Sequence, residues 1–122
     1  MVNPGDAIQP KNDAPSDIEF YRAKVRSVLR QLHAMKDYLT AGATEQFDES
    51  DVLARLEWVN SMNLEFDSAQ TSLEKLDFSE ISKNTRFEFS AILMDLKAKL
   101  NRALAALRKL HLQDLGNLDY QI

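Results

Sequence analysis

The 122-residue chain contains no cysteine, which removes disulfide frameworks, thiolate metal sites and a cysteine nucleophile together. Glycine and proline are scarce, three of each, and every proline lies at or before Pro15. Downstream of that point no missing amide donor interrupts a helix. The two histidines, His33 and His111, stand in no Glu-x-x-His, His-x-x-x-His or His-Glu-x-x-His pattern, the spacings that di-iron and zincin sites need on a helix. His33 with Asp37, or His111 with Asp114, could meet on one helix face, but two ligands do not make a metal site. A Gly-rich phosphate loop is missing, as is any spacing that singles out a Ser-His-Asp set, and Glu65, Asp67 and Glu74 read as a solvated face. No run approaches the roughly 18 apolar residues of a membrane span, and Met1-Val2-Asn3-Pro4 opens no signal-peptide apolar region. The net charge of -4 supplies no general surplus of cations for nucleic acid. The expectation is a non-catalytic protein without cofactor or metal, intracellular, and cytoplasmic rather than nuclear.

What remains is helical periodicity. Residues 1–15 hold all three prolines among polar residues and are expected to form a disordered lead. Ser16-Asp17-Ile18-Glu19 matches a capping box and opens a first helix over about 16–41. Tyr21, Val25, Val28, Leu32, Met35 and Leu39 alternate steps of four and three and give it one apolar seam, and Gly42 is its natural stop. Asp48 or Ser50 can cap a second helix over about 49–77, with Val52, Leu56, Val59, Met62, Phe66, Ala69, Leu73 and Leu76 as its seam. Asp77-Phe78-Ser79 reads as a short connection, so the third helix, about 80–115, folds back. Its seam runs Phe89, Leu93, Leu96, Leu100, Ala103, Leu107 and Leu110, widened by Ile92 and Leu104. Gly116 is expected to end it, leaving 117–122 as a tail that reads as cut from something longer. The fold class is all-α: an antiparallel three-helix bundle of long helices over 16–116, with self-association through a coiled-coil-like seam as a second use of the wide third stripe.

Charge is partitioned by helix. Residues 16–40 carry a net +2, residues 45–80 a net -8 and residues 81–112 a net +5. An acidic helix between two basic ones is what complementary packing of a bundle requires. The sharper alternative uses Lys97, Lys99, Arg102, Arg108 and Lys109 as a basic stripe for nucleic acid or an anionic membrane. Candidate interface residues are Trp58, one step off the second seam, Phe87 near the turn between helices, and Ile92, Leu100, Leu104 and Leu107 on the widened third stripe.

Four segments carry a family resemblance: Leu53-Ala54-Arg55-Leu56-Glu57-Trp58-Val59, the run from Leu64-Glu65-Phe66 through Gln70 to Leu76-Asp77, Arg86-Phe87-Glu88-Phe89, and Leu96-Lys97-Ala98-Lys99-Leu100. Over about residues 50–104 the chain resembles the N-terminal helical region of Gag-like polyproteins of BEL/Pao-type LTR retrotransposons, or a domesticated relative. No capsid-like or zinc-knuckle segment follows. The resemblance implies a role in protein assembly, with the chain itself as the expected partner, and no catalysis. The alternative expectation is an adaptor for nucleic acid or anionic membrane.

Overall fold

A computed structural model describes the backbone of residues 16–121 and the side chains of residues 16–116. The expected lead, 1–15, lies outside the described residues. The described chain is all-α, three long helices joined by two single-turn 3-10 segments: α1 (Asp17–Thr40), Ala43–Gln46, α2 (Glu49–Leu76), Phe78–Ser82 and α3 (Thr85–Gln121). Each helix packs against both others, and the short connections make successive helices antiparallel.

Local chemistry sets the boundaries. Ser16 caps α1 by accepting from the Glu19 amide at 3.2 Å. Gly42, at φ 94°, supplies the left-handed residue that turns the chain after α1, a conformation an L side chain resists. Asp48, not Ser50, caps α2. Its carboxylate accepts from the Asp51 amide at 2.8 Å while Asp51 accepts from the Asp48 amide at 3.0 Å. The second connection is longer than expected. Asp77 accepts from the amide and hydroxyl of Ser79 at 3.1 and 2.6 Å, which winds Phe78–Ser82 into a 3-10 turn and delays α3 until Thr85. Gly116 does not end α3, which continues through it to Gln121. A helical glycine costs about 1 kcal/mol relative to alanine, too little to stop a helix that needs no turn at that point.

The core takes Val25, Val28, Leu32 and Leu39 from α1 and Val52, Val59, Met62, Phe66, Ala69 and Leu73 from α2. From α3 it takes Phe89, Ile92, Leu96, Leu100 and Leu104, stepping three and then four. The centre of the α3 seam therefore sits about one residue from the expected line. Leu93, Ala103 and Leu107 flank the core, while Leu76 and Leu110 are exposed. Phe47, in the first connection, is buried and closes the end of the bundle against Tyr38, with the Arg55 guanidinium 4.2 Å above its ring.

At about 1.5 Å per residue α3 is about 55 Å long, against about 36 Å for α1 and about 42 Å for α2. Among the described side chains Leu104 is its last buried one, and Arg108, Leu110 and His111 lie beside the start of α2 at Asp48 and Glu49. The C-terminal turns of α3 run past the ends of its neighbours.

Candidate interaction surfaces

Two arginines tie the helices together near the second connection. Arg22 on α1 donates to Asp77 at 2.7 Å and to Glu80 at 3.2 Å, and Lys83 also reaches Glu80 at 2.7 Å. The two cations supply the buried Glu80 carboxyl with polar partners. The Asp77 carboxyl is held below its ordinary range, first by the Ser79 hydroxyl and amide, with Arg22 and Lys83 adding to this.

Arg86, in the first turn of α3, reaches back to α2. Its Nε and Nη2 donate to the two oxygens of Glu74 at 3.0 Å each, Nη1 donates to Asp67 at 3.1 Å, and Nη2 also donates to Thr71 at 3.1 Å. This fork lowers the Glu74 pKa against the opposing pull of partial burial, and the same contacts raise the pKa of Arg86. Glu65 and Asp67 are exposed as expected, whereas Glu74 is mostly covered and, with Asp67, receives the returning helix through Arg86. Fully buried Gln70 donates to Glu74 at 3.0 Å, while its own carbonyl oxygen has no partner among the described residues.

The candidate interface residues separate. Ile92, Leu100 and Leu104 are consumed by the core, so the seam they were expected to offer to a partner is occupied from within the chain. Trp58 and Leu107 are half-buried against that core. Phe87 is 75% exposed.

The five cations of the expected basic stripe do not share one face. At about 100° per residue, Lys97 and Arg108 fall on one flank of the core and Lys99 on the other, while Arg102 and Lys109 point away from it. The contacts agree. Arg108 approaches Glu49 of α2 at 3.9 Å, and Lys99 is paired with Asp95 at 3.1 Å on the side of α1, where Lys36 lies 3.8 Å from the same carboxylate.

Apolar surface is the conspicuous feature of α3. Besides Phe87, the side chains of Met94, Leu110, Leu112 and Leu115 are 67, 58, 67 and 46% exposed. Among the described residues, no three His, Asp or Glu side chains converge on a metal-sized site, and no helix is long and apolar enough to cross a membrane. The surface depressions are open grooves, such as that between Arg22, Leu29, Glu80 and Glu88. Compared with known proteins, the chain matches no family model, no curated protein and no solved structure.

Proposed function

We propose that this chain is a non-catalytic assembly module, Gag-like in role, that acts by associating with itself through α3. The observation that carries the reading is the uncovered apolar surface of that helix. After Leu104 the cover thins: Leu107 is half-buried against the core, and Leu110, Leu112 and Leu115, within the next eleven positions, are all exposed. Burying a leucine contributes on the order of 1.5–3 kcal/mol, so a few side chains of this kind make association favourable. The sequence resemblance over about residues 50–104 supports the same role. The nucleic-acid or membrane reading has less support, because its five cations are spread around α3 and three of them have acidic neighbours or lie along flanks of the core.

Light scattering coupled to size exclusion, across a concentration series at low and moderate salt, tests the proposal. A dimer or larger species that grows with concentration is expected. A strict monomer at every concentration would overturn the reading and turn attention to a heterologous partner.

A further inference from the structure

The outer face of α3 carries a second heptad pattern, separate from the one that fills the core. Phe87, Met94, Asn101, Arg108 and Leu115 recur every seven residues, and Ala91, Ala98, Ala105 and Leu112 do the same from an origin four residues later. Together they step four, three, four, three along the helix, the spacing that keeps one line of side chains against a partner helix. From Phe87 to Ala105 this line lies opposite Phe89, Leu96 and Leu100 and, but for half-buried Ala98, is uncovered among the described residues, whereas Arg108 turns toward the flank of the core beside Glu49 of α2. Phe87, Met94, Leu112 and Leu115 are exposed, as are Ala91, Asn101 and Ala105. A straight α-helix drifts about 20° per heptad from such a line, a drift that a left-handed supercoil takes up.

The charges beside this line are ordered. Following Phe87, Met94, Asn101 and Arg108 by one position come Glu88, Asp95, Arg102 and Lys109, two acids and then two bases on one edge. Among the described residues, Glu88, Arg102 and Lys109 make no ion pair within the chain, and Asp95 is shared with Lys99 and Lys36. An antiparallel copy inverts the order. Glu88 then lies opposite Lys109 of the other copy and Asp95 opposite Arg102, each pair occurring twice about the two-fold axis. The same register sets Phe87 against Leu112, Met94 against Ala105 and Asn101 against Ala98, so that below the outermost layer a small side chain faces a larger one. Parallel pairing would instead bring Lys97 beside Arg102, two like charges.

From these observations we infer that the outer face of α3, from Phe87 to Leu112, is an isologous docking surface for a second copy of this chain, paired antiparallel. A patch whose charge order is its own complement under two-fold rotation is what such an interface requires, and Asn101 beside Ala98 near the axis fixes the register at some expense of affinity. The inference rests on the assembly reading above and adds the surface, the orientation and the register.

Sedimentation of the full chain and four variants tests it. Met94→Glu and Ala105→Glu alter exposed positions, so the folded monomer and its helicity are expected to persist while self-association is lost. Glu88→Lys is expected to weaken association on the order of tenfold, because two attractions become two repulsions. Glu88→Lys combined with Lys109→Glu is expected to restore it, since the exchanged pair regenerates itself only in the antiparallel register. An oligomer indifferent to Met94→Glu and Ala105→Glu would overturn this surface and leave the assembly reading standing. An oligomer that those two variants dissociate but the double exchange does not rescue would overturn the orientation. A wild-type chain that stays monomeric would overturn both.

Discussion

The rings of Phe66 on α2 and Phe89 on α3 lie face to face, 3.8 Å between centroids and 2° from parallel, and both are buried. Their contact joins the antiparallel pair one turn of α3 beyond the Arg86 fork, so apolar stacking and polar docking fix the same end of the same helix pair. Phe89→Ala leaves Phe66 facing a cavity and is expected to cost about 3–5 kcal/mol, read as a lowered midpoint in denaturant titration followed by Trp58 fluorescence. Phe87→Ala, two residues away and exposed, is expected to leave the monomer's stability within about 0.5 kcal/mol.

Leu104 gives a second contrast on α3. It is 7% exposed and belongs to the core, so Leu104→Asp buries an unpaired charge and is expected to abolish helicity and cooperative melting together. Leu112→Asp, eight residues on and 67% exposed, is expected to keep both. Circular dichroism of the two variants separates the inner seam from the outer one.

Leu104 and Leu112 mark the limit of what hydrophobic periodicity specifies in this chain. Periodicity located all three helices because each has to bury one face. The short polar sequences at Ser16 and Asp48 announced two starts because orphan amides need acceptors. Periodicity alone did not say how far around α3 the core extends. Phe89, Ile92, Leu96, Leu100 and Leu104 and the alternative line through Leu93, Ala103 and Leu107 differ by one position, and only the placement of α1 and α2 chooses between them. The outer line of Phe87, Met94 and three alanines was hidden because alanine carries little hydropathic signal. Phe47 could have been found: it directly precedes the Asp48 cap, Val52 follows four positions after the cap, and both are buried, the placement of a hydrophobic staple. Arg86 gave no sequence signal for its partners, since Asp67, Thr71 and Glu74 meet it only across the fold.

Among the described residues Gln70 is the one fully buried side-chain amide, and its carbonyl oxygen has no partner there. An unpaired buried acceptor costs about 1–3 kcal/mol, whereas Glu74 keeps both Arg86 bonds when the amide is removed. Gln70→Met, close in volume, is therefore expected to stabilise the bundle by about 1 kcal/mol, visible as a higher melting temperature.

Gly42 should resist replacement for a reason other than space. A Cβ there would meet nothing within 4 Å, so the cost of Gly42→Ala comes from φ 94° alone. It is expected to be about 1 kcal/mol, whereas Gly42→Asn, which tolerates the left-handed region, should lose less. Thermal melts of the two variants rank the effect.

Arg86 and Glu74 give the fold an acid-sensitive clamp. The folded-state pKa of Glu74 is lowered, chiefly by the Arg86 hydrogen bonds, so the folded chain holds this proton less readily than the unfolded one. The clamp's contribution is accordingly complete above the ordinary glutamate value of about 4.3 and is lost as pH falls through the lowered value. Arg86 is 44% exposed and Asp67 68%, so solvent screening limits the contribution to about 1 kcal/mol. Arg86→Gln is expected to be less stable than wild type by that amount at pH 7, with the difference closing as the medium is acidified below about pH 4. Urea titrations of both proteins at pH 7, 5 and 3 check the sign. A gap that stayed constant across that range would assign the role of Arg86 to its packing and its bond to Thr71, not to the Glu74 carboxylate.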